Sequence, residues 1–235
     1  ILVSGSNRVE YEPWRVSRSG VLLGDVSEEG SVTAFDASLI LQYKVDLIEL
    51  TENQQTAADV TGDGNITAFD ASNVLQFVVG AISGFPGAGK APSYAPEDIF
   101  TLKTEVNDAS FDVIITSEGN LPLYSGQISI DYDDSRFSSA ELIGTAETAE
   151  WSNRVSNEDG TFKAAIAGVD PAKTIGELIH VRFQFEDSYA GSPGDISVTE
   201  LMLNEIDLTE AANQVATSTL DELDVPKAFA LEQNY

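Results

Sequence analysis

One twelve-residue pattern occurs twice near the start of this chain, thirty-four positions apart. The first copy runs from Asp25 to Asp36 and the second from Asp59 to Asp70. Oxygen-bearing side chains fall at positions 1, 3, 5, 9 and 12 of each: Asp25, Ser27, Glu29, Thr33 and Asp36, then Asp59, Thr61, Asp63, Thr67 and Asp70. Ser31 and Asn65 hold position 7, where a backbone carbonyl supplies a further oxygen. Position 6 is Gly30 in one copy and Gly64 in the other, where the chain must turn sharply. Such spacing wraps oxygens around a hard cation, and a loop of this length suits calcium. Two calcium sites are therefore expected. Position 12 is Asp rather than the longer Glu, so the following helix must come nearer the ion. Glu29 is long for position 5 but can still ligate.

Each loop is followed by apolar residues at helical spacing: Phe35, Leu39, Ile40, Tyr43 and Leu47, then Phe69, Val74, Phe77, Val78 and Ile82. Both copies continue as Asp-Ala-Ser-x-(Ile or Val)-Leu-Gln-(Tyr or Phe), a loop-then-helix unit used twice. Between them Thr51–Ala58 reads as a short helix with Thr51 as its N-cap. Residues 21–85 thus form a small all-α module, part of whose folding free energy calcium supplies.

Residues 84–96 carry three prolines and three glycines, and 86–96 read as a linker. From 97 to 215 the character changes. Short alternating segments (99–106, 111–116, 124–132, 162–167 and 178–185) are separated by Gly, Asn, Asp and Pro, as in an antiparallel β-sandwich. Residues 1–20 are too few to fold alone. They read as a strand donated to a neighbour, as the end of an upstream domain, or as padding on the next module. Residues 216–235 form a polar, acidic tail.

The net charge is −27, with 39 acidic side chains against 12 Lys and Arg. Such a surface repels phosphate backbones, so no nucleic-acid partner is expected. No apolar run approaches the length of a membrane span. There is no cysteine and one histidine, His180, which closes off thiolate chemistry and histidine metal sites. His180 alternates with Ile179 and Val181 in a strand and is expected to face solvent. Gly84–Lys90 fits part of a phosphate loop, but Ala91 stands where Ser or Thr must hold magnesium. Asp131, Asp133 and Asp134 sit at a turn. The chain is not expected to be an enzyme. It begins at Ile1 without an initiator Met and reads as a mature product or a fragment.

The duplicated Asp-x-x-x-(Asp or Glu)-Gly-x-(Ile or Val)-Thr-x-x-Asp loops, each leading to Leu-Gln-(Tyr or Phe), resemble a type I dockerin module over residues 22–85. That resemblance implies two EF-hand-like calcium sites and a pseudo-twofold pair of helices. It also implies that loop positions 10 and 11 help choose a cohesin partner. Here they are Ala34-Phe35 and Ala68-Phe69, apolar where hydroxyl pairs are common in cellulosomal dockerins. Gln42, Tyr43, Gln76 and Phe77 lie further along the same helices and join them as candidate partner contacts. Phe35 and Phe69 read equally as core residues.

Tyr124–Phe137, with Tyr-Asp-x-Ser-x-Phe at its end, and Gly176–Phe185 are similar to cohesin domains, which are nine-stranded jelly-roll sandwiches. The similarity implies a flat sheet face that receives a dockerin. Phe229–Tyr235 resembles the opening of a type IX secretion sorting region, which implies export.

These readings combine into a multidomain α + β chain, a dockerin-like module followed by a cohesin-like sandwich. The linker is expected to be too short to bring the module to its own sheet, so the partner is expected to be a cohesin-like domain of another copy. Head-to-tail pairing of that kind builds open chains. The leading expectation is a calcium-dependent homo-polymer outside a bacterial cell or at its surface. The alternative is a monomeric adaptor that docks exported enzymes there.

Overall fold

The computed structural model describes residues 20–86, 99–107, 109–119, 121–172, 175–186 and 196–213. The expectations for the donated strand, the sorting region and the linker beyond Pro86 lie outside the described residues.

Three helices come first: α1 (Ala34–Lys44), α2 (Glu52–Ala58) and α3 (Ala68–Val78). The loop residues themselves start the long ones. Thr33 and Thr67 are the N-caps of α1 and α3, and Asp36 and Asp70 return to the cap backbone from the third helical position. These reciprocal bonds satisfy donors that a helix start leaves orphaned. Thr51 caps α2 as expected, with Gln54 as its counterpart. Gly30 and Gly64 have φ of 90° and 92°, the left-handed turn that position 6 demands. Leu47 and Ile82 fall beyond the helices, and Leu47 is exposed rather than part of an apolar stripe. The helices pack around Ile40, Leu41, Ala57, Ala58, Ala71 and Val74.

Nine strands follow among the described residues: β1 (Phe100–Val106), β2 (Ser110–Ser117), β3 (Ser125–Tyr132), β4 (Phe137–Ile143), β5 (Ser152–Glu158), β6 (Thr161–Ala167), β7 (Gly176–Phe185), β8 (Ile196–Leu203) and β9 (Ile206–Asp207). They pair antiparallel in two sheets, ordered β1-β2-β7-β4 and β5-β6-β3-β8-β9. Alternation along each strand sends one set of side chains between the sheets. Val113, Ile115, Ile128, Ile130, Phe162, Val181 and Leu201 fill that space. Edge-on rings of Tyr132, Phe137 and Phe183 close one end, with centroids 5.3–6.1 Å apart. The anticipated fold class, a small helical module followed by an antiparallel β-sandwich, is the one observed.

His180 does not stand in solvent. Its side chain is 12% exposed, with Nε2 3.3 Å from Asp112 and Nδ1 3.6 Å from Glu177. On the same outer face Arg182 donates to both oxygens of Asp112, at 2.8 and 2.7 Å. The alternation was read correctly, but charged neighbours cover the ring. The Arg182 guanidinium beside Asp112 holds its carboxyl below the usual carboxylate range. A depressed folded-state value stabilises the fold above the unfolded value, near 4, and that contribution is lost as pH falls through the lower folded one. Asp112→Asn should therefore flatten the acid limb of the sandwich's stability curve, measured by urea melts between about pH 5 and pH 2; an unchanged limb would contradict the pairing.

Candidate calcium loops and the docking face

Within each loop the ligand-type oxygens gather on one side. In the second, Thr61 Oγ1 stands 3.4 Å from Asp59 Oδ1. The first repeats this: Ser27 Oγ is 3.4 Å from Asp25 Oδ1, and Ser31 Oγ 3.4 Å from Glu29 Oε1. Oxygens about 2.4 Å from one ion and roughly at right angles lie about 3.4 Å apart, so the spacing fits a shared calcium. Backbone N–H groups hold the position-1 carboxylates in place. Asp25 accepts from Glu29 and Gly30 at 3.0 and 2.8 Å, and Asp59 from Gly62 and Gly64 at 2.7 and 3.0 Å.

Position 12 is built alike in both loops. Asp36 accepts Ser27 N–H and Thr33 N–H, each at 2.8 Å. Asp70 accepts Thr61 N–H at 3.1 Å and Thr67 N–H at 2.8 Å. Asp70 is fully buried. Burial pushes its carboxyl up to about 7, with a smaller contribution from Asp59, against those two backbone bonds. A divalent ion is the charge that would keep such a group ionised. Among the described residues no three Asp, Glu, His or Cys side chains converge as a metal cluster on their own. The donor set is mixed carboxylate, hydroxyl and carbonyl oxygen, which suits calcium. Asp25, Ser27, Glu29, Ser31, Thr33 and Asp36 would hold one ion, and Asp59, Thr61, Asp63, Asn65, Thr67 and Asp70 the other.

The helical module sits on the outer face of the five-stranded sheet of its own chain. Ala165 and Ala167 point away from the sandwich core, are wholly buried, and join the module's apolar cluster. Polar contacts frame this seat. Ser72 Oγ donates to the Gly168 carbonyl at 2.7 Å, and Ala68 N–H to Gln127 Oε1 at 3.0 Å. Arg154 donates to Ser38 Oγ at 2.6 Å, and Ser156 Oγ to the Val45 carbonyl at 2.6 Å. Lys163 pairs with Asp46, and Lys44 lies 3.6 Å from Glu200. The expectation that the linker keeps the module from its own sheet is overturned. About a dozen extended residues reach roughly 40 Å, ample for a module that folds back.

The candidate partner residues divide. Ala68 is 1% exposed and meets Gln127. Gln42 and Gln76 stand behind the contact, each donating at 3.0 Å to the serine four residues earlier, Ser38 or Ser72. Tyr43 packs partly buried on the module core. Phe77 stacks at a tilt on Phe85, centroids 5.0 Å apart. Phe69 is half-buried, whereas Ala34 is exposed and Phe35 is 56% exposed, so Phe35 is not a core residue. Sequence reasoning missed Ser38 and Ser72, although Asp-Ala-Ser is identical in both copies. Glu205, in the turn between β8 and β9, has its carboxyl pushed up by burial, with smaller contributions from Asp63 and Asp59.

Residues 23–78 match the family model described as the Dockerin type I domain. No curated protein matches the chain. Among solved structures, a chain of a type I cohesin–dockerin complex from Clostridium thermocellum is similar at 14% identity, covering 46% of this chain and 90% of that one, with a TM-score of 0.35. A non-cellulosomal cohesin from Archaeoglobus fulgidus is similar at 16% identity, covering 46% and 80%, with a TM-score of 0.34. Both scores are low, and the sandwich assignment rests on the strand order itself.

Calcium at a hundred times its Kd should stabilise the folded module by about 2.7 kcal/mol per occupied site. Calorimetry should therefore show an upward shift in its melting temperature that Asp25→Ala with Asp59→Ala abolishes. An equal shift in the double variant would contradict the ligand assignment.

Proposed function

We propose that this chain is a secreted, calcium-dependent structural protein whose dockerin-like module and cohesin-like sheet face recognise each other, and which assembles head to tail by exchanging that contact between copies. The observation that carries the reading is the seat of α1 and α3 on β3, β5 and β6, lined by Ala165 and Ala167 and framed by Ser38 and Ser72. The surfaces that meet there are different, so exchange between molecules is heterologous and leaves a free module and a free sheet at the two ends. The product is an open filament or scaffold. The dockerin match supports a place outside a bacterial cell or on its surface. Among the described residues no helix is long and apolar enough to cross a membrane.

Exchange conserves every contact, so mass action decides between the closed chain and the polymer. A module tethered to the sheet it docks on competes at an effective concentration on the order of millimolar. Polymer therefore forms where copies crowd. The same self-docked contact favours a second reading, a monomeric adaptor that opens to dock an exported enzyme. Neither reading assigns a catalytic residue.

Light scattering behind size exclusion separates them. In calcium, mass should rise with protein concentration, and a chelator should leave monomers alone. One monomer mass across the whole range in calcium would contradict assembly and leave the adaptor. Polymers indifferent to chelator would contradict the calcium-dependent contact.

A further inference from the structure

The two long helices of the module end in the same way. Asp46 N–H donates to the Tyr43 carbonyl at 3.1 Å and Leu47 N–H to the Gln42 carbonyl at 2.9 Å. In the second copy Gly80 N–H donates to the Phe77 carbonyl at 3.0 Å and Ala81 N–H to the Gln76 carbonyl at 2.8 Å. Both ends turn left-handed, with φ of 58° at Asp46 and 75° at Gly80. Glycine takes that conformation without strain and is the ordinary residue there. An aspartate takes it at a cost, and here its side chain reaches across to pair with Lys163 of β6. Two residues earlier, Lys44 Nζ lies 3.6 Å from Glu200 of β8. Lys44 is the only Lys or Arg between residues 20 and 86, and its counterpart in the second copy is Val78.

The other polar contacts of the seat do not distinguish the copies. The helices run in opposite directions on the sheet. Ser38 of α1 meets Arg154 and Val45 meets Ser156, while Ala68 of α3 meets Gln127 and Ser72 meets Gly168. Arg154 and Gln127 both lie level with Ala165, so α1 descends β6 toward Lys163 as α3 climbs it toward Gly168. Half a turn of the module about the sheet normal exchanges the helices. Arg154 would then meet Ser72, Gly168 would meet Ser38, Gln127 the N–H of Ala34, and Ser156 the carbonyl of Val79. The duplication keeps a hydroxyl, an N–H or a carbonyl at each of these places. The two ion pairs have no such substitutes, because Val78 and Gly80 would stand before Glu200 and Lys163.

We propose that Lys44 and Asp46, through Glu200 and Lys163, choose the one orientation in which the duplicated module docks. This rests on the reading of the sheet as the module's partner, and deepens it. Partly exposed ion pairs favour one geometry by a few-fold each, so two of them act on the order of tenfold together. The pairs are opposite in sense, a module cation on a sheet anion and a module anion on a sheet cation. A slipped register that set Lys44 against Lys163 would bring like charges together, so the same residues select position as well as direction. A single orientation rotates each successive copy by the same angle, and the filament is then regular.

Spin labels at Ser83→Cys, beyond α3, and Glu158→Cys, at the end of β5, read the orientation by pulsed electron resonance on the full chain in calcium, diluted with unlabelled protein. Both positions are exposed. In the observed orientation α3 points past Gly168, about 23 Å along the strand from Thr161, the partner of Glu158. In the turned one its end comes to Ser156. A linker of about a dozen residues reaches far enough for both. Wild type should give the long distance. Lys44→Val with Asp46→Gly, which makes the first copy like the second, should add a short-distance population. Adding Val78→Lys and Gly80→Asp to that variant moves the charges to the other helix and should leave the short distance dominant, by about tenfold. Two populations in wild type, or the long distance alone in all three chains, would overturn the proposal while leaving the docking intact. A broad distribution in wild type would remove the docking itself, and the choice of orientation with it.

Discussion

Two alanines on the outer face of β6 make the rest of this architecture possible. Ala165 and Ala167 are wholly buried although they point away from the sandwich core. Small side chains there let α1 and α3 lie close to the sheet, so that backbone carbonyls become reachable. Ser72 finds the Gly168 carbonyl, and on the other helix Val45 offers its own carbonyl to Ser156. A larger residue at either alanine would lift the helices and strand these polar groups without partners, each of which costs about 1–3 kcal/mol when it stays buried.

The internal repeat of the module becomes asymmetric on contact. Ser38 and Ser72 are equivalent by the duplication, and each is held by a glutamine four residues on. Yet Ser38 receives a hydrogen bond from Arg154 while Ser72 gives one to a carbonyl. Ala68 is sealed against Gln127, and its counterpart Ala34 is in solvent. One set of repeated residues thus meets two different environments on one sheet, which hydroxyls tolerate because they donate and accept.

The loops, the helix starts and the sandwich class were legible because each follows from local rules: ligand spacing, capping residues and alternation. Polar β5 (Ser152–Glu158) was not legible as a strand, since its exposed edge position and its contacts with the module favour Ser, Asn and Arg over apolar residues. The docking of the module on its own chain was also missed, because tether length bounds a distance and says nothing of direction. A trace of it lies in Phe162–Ala167, where apolar residues fill both alternating sets beyond Lys163. A strand read that way is buried on both faces, and here the module supplies the second cover.

The central claim is that calcium seats the helices on the sheet of the same chain. The absence of native cysteine makes a direct test simple. Spin labels at Asn53→Cys and Glu158→Cys, both exposed positions on opposite sides of the contact, would report their separation by pulsed electron resonance in dilute protein mixed with an excess of unlabelled chain. The account predicts one narrow distance in calcium that broadens when the ion is chelated. A broad distribution with calcium present, or a narrow one untouched by chelator, would contradict it.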